Sequence, residues 1–105
     1  MIKGFKELHE TPKPNENDVV ETIQDYAETG AAIYAQIVID VINRAGLSRD
    51  SLQSCLSSAI VGQDFHKIRA QRSTEPGKPA AEMRESTEYA IVAEHIRNRL
   101  SSLES

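Results

Sequence analysis

A single cysteine, Cys55, is all the sequence contains, which rules out an intrachain disulfide and points to a reducing compartment. The opening residues, Met1 to Leu8, hold no apolar run of the kind a secretory signal needs. No stretch approaches the roughly 18 apolar residues of a spanning helix, so a cytoplasmic chain that avoids membranes is expected. Basic residues are outnumbered, 12 against 16 acids, for a net charge of −4. Neutralising phosphates needs a basic surface, so duplex nucleic acid is disfavoured as a partner. The five glycines stand apart at positions 4, 30, 46, 62 and 77, and none builds a phosphate-cradling loop. The three histidines, His9, His66 and His95, are scattered. Glu94 and His95 are adjacent and so diverge around a helix, unlike the Glu-x-x-His spacing of di-iron bundles. Neither a metal site nor a cofactor is expected. Cys55 has no histidine near it in sequence and falls on an apolar stripe, as a core thiol does. The chain reads as non-enzymatic.

What is present is helical patterning. At 105 residues the chain makes one domain, burying only roughly 60–65% of its unfolded surface. With disulfides and metals set aside, self-association is the remaining way to supplement so thin a core. Residues 1–17 read as an arm. Ile2, Phe5 and Leu8 recur every third position, and Pro12 and Pro14 break any helix that reaches them. It is either a loosely held tail or a clip onto a neighbouring subunit. The helical domain spans 18–105. Its first helix is expected from Asp18, capped by Asn17, to Ala45, ended by Gly46, roughly 42 Å of helix. Residues 31–42 read Ala-Ala-Ile-Tyr-Ala-Gln-Ile-Val-Ile-Asp-Val-Ile, apolar nearly all round, and a helix of that kind is buried on more than one face. Such a face predicts a homo-oligomer through Ile33, Tyr34, Ile37, Val38 and Val41. A strand over 31–42 is the competing reading, because Ile and Val are β-branched.

A second helix is expected over 49–61, capped by Ser48, with Leu52, Cys55, Leu56, Ala59 and Ile60 as its stripe. Gly62 either stops it or sits inside a helix that continues through Phe65 and Ile68. Residues 73–79 are a loop by composition. A third helix runs from Pro79 to about Leu103, with Met83, Ala90, Val92, Ala93, Ile96, Leu100 and Leu103 facing inward. The expected fold is therefore all-α: a three-helix hairpin or bundle with two long antiparallel helices, oligomeric.

Two surfaces stand out by charge. Residues 62–79 carry four cations against two acids. Phe65, His66, Lys67, Arg69 and Arg72 are the candidate ligand-binding set, an aromatic among cations suited to an anionic small molecule. Asp18, Glu21, Asp25 and Glu28, spaced 3-4-3, lie on one helical face; they make either a solvated outer face or a contact for a basic protein target.

The opening Lys3-Gly4-Phe5-Lys6-Glu7-Leu8, leading into a long helix with Ile23 and Gly30, resembles the start of small phage proteins of the anti-CBASS nucleotide-sponge type. The resemblance covers about the first 40 residues. It implies a helical hairpin that assembles into oligomers and sequesters a cyclic nucleotide signal, in a phage or bacterial defence context. The second half departs from that family, lacking its Arg-Trp and Leu-Gln-x-Gly features and any tryptophan, so no binding residue carries over. Two functions are expected in competition. One is a non-catalytic, homo-oligomeric binding protein that sequesters a nucleotide-like anion. The other is a protein–protein regulator or inhibitor that docks the acidic face of the first helix onto a basic partner.

Overall fold

The structure, a computed structural model, describes residues 4–104. Within them lie five helices and no strand: α1 (Phe5–Glu10), α2 (Glu16–Thr29), α3 (Ala35–Ala45), α4 (Arg49–Arg72) and α5 (Lys78–Glu104). The all-α class stands, and the strand over 31–42 does not form. The three-helix plan is corrected, because the single helix expected over 18–45 is two helices, α2 and α3.

The break is at Gly30, which sits in the left-handed region at φ 73°. Its N–H donates to the Ala27 carbonyl (3.4 Å) and that of Ala31 to the Tyr26 carbonyl (2.9 Å). This pair of bonds closes a helix with a Schellman ending. Residues 30–34 then cross as a linker, and α3 restarts with no side-chain cap of its own. Glu88 of α5 supplies one instead, accepting from the Ala35 N–H at 3.2 Å. The break lets the apolar stretch turn its residues inward. Val38, Val41 and Ile42 are fully buried, with Ile33 and Ala35 nearly so, against α1, α5 and α2 of the same chain. Ile33, Val38 and Val41 are therefore core residues rather than an oligomer face. Of the five expected interface residues only Tyr34 is exposed, with Ile37 half-buried. Self-association is not needed to shelter this segment.

α4 runs unbroken through Gly62 to Arg72 and pairs with α5 in a long antiparallel hairpin closed by residues 73–77. α2 lies on α4, and α3 on α5. The cap before α2 is Asn15, not Asn17: its Oδ1 accepts from the N–H groups of Asn17 (2.9 Å) and Asp18 (3.3 Å). Ser48 caps α4 as expected. Its hydroxyl and N–H also donate to Glu16 Oε1, at 2.6 and 3.1 Å, as does the Ser51 hydroxyl. α1 is part of the body. Phe5 and Leu8 are buried, the Tyr26 ring meets Phe5 edge-on at 4.9 Å, and Arg44 donates to the His9 and Thr11 carbonyls at 2.6 and 2.8 Å. Ile2 lies outside the described residues.

The inner seam of the hairpin changes character along its length. Near the α4 start it is apolar, with Leu52, Cys55 and Ala59 against Val92, Ala93 and Ile96. Toward the loop it becomes polar: Gly62, His66 and Ala70 face Glu82, Ser86 and Tyr89. The inward face of α5 at this end is thus Glu82-Ser86-Tyr89, whereas Met83, expected inside, is 44% exposed and Leu103 is 55% exposed.

Candidate functional site

The polar end of the seam gathers the chain's most unusual side chains. Gly62 admits the Tyr89 ring, since a Cβ there would sit inside van der Waals distance of three Tyr89 ring carbons. Tyr89 is fully buried and donates its hydroxyl to the Ala31 carbonyl at 2.7 Å. Burial, and then the nearby Glu85 charge, push its pKa upward, so it stays a donor. The His66 ring stacks on Tyr89 (centroids 5.6 Å apart, 23° between planes) and meets Phe65 edge-on at 5.3 Å. Held this way, His66 turns Nδ1 toward α5, where Glu82 Oε2 lies at 2.7 Å and Glu85 Oε2 at 2.8 Å. Its Nε2 is buried without a hydrogen-bond partner among the described residues. Glu82 is buried and also faces Arg69 Nε at 3.5 Å; Glu85 is half-buried. Ser86 fills the next inward position and donates to the Gln63 carbonyl at 2.9 Å.

Outside this layer, Phe65, Ile68, Arg69, Arg72, Ser73, Glu75 and Lys78 line an open groove of about 480 Å³ at the hairpin tip. The Arg69 guanidinium lies 5.4 Å from the Phe65 ring centroid, within cation–π range. Phe65 is seated on Gly30, where a Cβ would strike the ring. Of the five residues expected to bind a ligand, the structure brings Phe65, Arg69 and Arg72 together in this groove. It does not bring His66, which faces α5, or Lys67, which is exposed and does not line the groove. Lys78, from the start of α5, joins instead.

A second hollow of about 520 Å³ is lined by Ala32, Ile33, Tyr34, Ala81, Arg84, Glu85, Thr87 and Glu88. Tyr34 stands at its rim, 74% exposed. The acidic stripe lies on α2, with Glu21 and Glu28 exposed and Asp18 and Asp25 half-buried. Cys55 is fully buried, and burial with the Glu16 charge pushes its thiol up to about 12, which leaves it inert.

Three groups of this site escape a reading of the sequence: Glu82, Glu85 and Tyr89. One signal leads to them. Once α4 continues through Gly62, the stripe Leu52-Cys55-Ala59-Gly62-His66-Ala70 puts a histidine on the inward face, where it needs a buried polar partner. The partner lies sixteen residues on, across a loop, beyond any short-motif spacing. Comparison with family models, with curated proteins and with solved structures finds no match to this chain.

Proposed function

We propose that this chain is a non-catalytic binding protein whose hairpin tip takes a flat-faced anion of the nucleotide class. One observation carries the reading: an aromatic ring held on Gly30 lies beneath an arginine, in a groove that also presents Arg72 and Lys78. No ion pair joins Arg72 or Lys78 to an acid among the described residues. Arg69, lying over the Phe65 ring, offers its flat guanidinium to a planar base, and Arg72 and Lys78 supply charge-assisted donors to phosphate, a combination that tolerates many bases and selects for anions. The groove is open, so the reading is of reversible holding rather than enclosure.

Thermal unfolding against mono-, di- and cyclic dinucleotides at millimolar concentration tests this. A ligand at 100 times its Kd stabilises by about 2.7 kcal/mol, enough to raise Tm by roughly ten degrees or more in a chain of this size. The double variant R72E/K78E, on exposed positions, should keep the helical circular dichroism and lose the shift. Absence of any shift across the panel removes the reading.

A further inference from the structure

We propose that His66, Glu82 and Glu85 form a site for one divalent transition-metal ion, bridging α4 and α5 beneath the hairpin tip. The donors are one imidazole nitrogen and two carboxylate oxygens, all within 4.8 Å of one another. Two carboxylate oxygens converge on one nitrogen, at 2.7 and 2.8 Å. A single Nδ1 proton can point at only one of them. A divalent cation placed among the three meets all of them at once and neutralises both carboxylates, the buried Glu82 included.

The histidine is fully buried and aimed. Tyr89 and Phe65 fix its ring, Gly62 makes room for Tyr89, and the orientation that results turns Nδ1, rather than Nε2, onto the two carboxylates. Preset ligands of this kind lower the reorganisation needed to bind. Arg69, 3.5 Å from the other oxygen of Glu82, orients that carboxylate as an outer-shell partner does. An approach also exists. Glu85 is both a donor of the cluster and part of the wall of the 520 Å³ hollow beside Tyr34, so an ion entering there meets the half-exposed carboxylate first and the buried pair next. Mixed imidazole and carboxylate donors suit zinc, manganese, cobalt or iron(II) better than calcium or magnesium, which favour oxygen alone. Three protein ligands leave a coordination position for water or a further group.

The test uses the full chain after chelator treatment, titrated with Zn²⁺, Co²⁺ and Mn²⁺ in a calorimeter. One equivalent is expected, with a rise in Tm. Glu85→Gln, at a half-exposed position, should weaken binding by about tenfold or more, while His9→Gln, in the exposed His9–Asp40 pair, should leave it unchanged. Imidazole ¹⁵N spectra of the wild type supply a readout that no variant's folding affects: Zn²⁺ should move the His66 resonances and leave those of His9 and His95 in place. Absence of saturable binding of all three ions overturns the proposal. So does binding that Glu85→Gln leaves undiminished, or a response confined to His9 or His95.

Discussion

Gly62 stands where the Tyr89 ring leaves no room for a side chain. A glycine inside a helix ordinarily costs about 1 kcal/mol relative to alanine, so replacing it should help. Here the added methyl would drive into the Tyr89 ring. That ring cannot swing aside without breaking its bond to the Ala31 carbonyl and its stack on His66. Overpacking of this kind costs about 1–3 kcal/mol, which outweighs the propensity gain. Gly62→Ala should therefore lower the urea midpoint, and a midpoint that rises would show that the ring has room to move.

The elements are set by their ends more than by their middles. Gly46 and Ser48 do what their types predict, and the loop expected over 73–79 forms over 73–77, with α5 starting at Lys78, because caps and turns are local chemistry that sequence displays. The division between α2 and α3 is equally local in cause, since Gly30 alone makes it. It is hidden because the apolar run beyond it argues for continuity, and what offsets the cost of ending the helix there is distant: the Phe65 ring on Gly30, Tyr89 on Ala31, and Glu88 on Ala35. Apolar patterning points the inward face of α5 toward Met83, and it fails for a related reason. Polar Glu82 and Ser86 face inward only because His66 and the Gln63 carbonyl wait opposite. Thus the basic groove is partly legible in a local cluster of charge, and the histidine–carboxylate layer is not.

Glu16 gives the element scale its own test. Hydrogen bonds from the Ser48 side chain, then the Ser51 side chain, then the Ser48 N–H hold its carboxyl below the ordinary value of 4.5. A group whose pKa falls on folding adds stability that is fully present above its unfolded pKa. That stability is lost as pH falls through the folded one. Glu16→Gln should therefore lower stability at neutral pH, where the contribution is fully present, and flatten the stability–pH curve below about pH 4.5, where the two chains converge. His95 is also shifted down, by burial and then by Arg99, so its contribution fades in a separate window just under the ordinary histidine range. A variant curve that matches the wild type throughout the acid range would show that the three donors to Glu16 carry no net energy.

On the scale of the whole molecule, the chain's own helices cover the apolar face of α3. The arm's Phe5 and Leu8 close one side of α3, and α5 closes another. Among the described residues no helix is long and apolar enough to cross a membrane. The large apolar side chains left outside, Tyr34, Val61, Ile68, Met83, Ile91 and Leu103, are spread over three segments of the chain. The hydrophobic contacts that hold α4 to α5 are gathered at one end of the pair, and charged and hydroxyl groups occupy the other. The two helices therefore resemble a clothes peg, sprung at the Leu52–Ile96 end, with jaws that are lined by polar groups and tethered by the 73–77 turn. Amide protons of residues 64–70 and 80–86 should exchange by partial opening, at rates well above those of residues 52–59 and 92–96, whose exchange waits for the whole chain to unfold. Uniform protection along both helices would mean that the jaws are locked by charge as firmly as the spring is by grease. Anything gripped between the jaws would slow exchange there first, with the sprung end untouched.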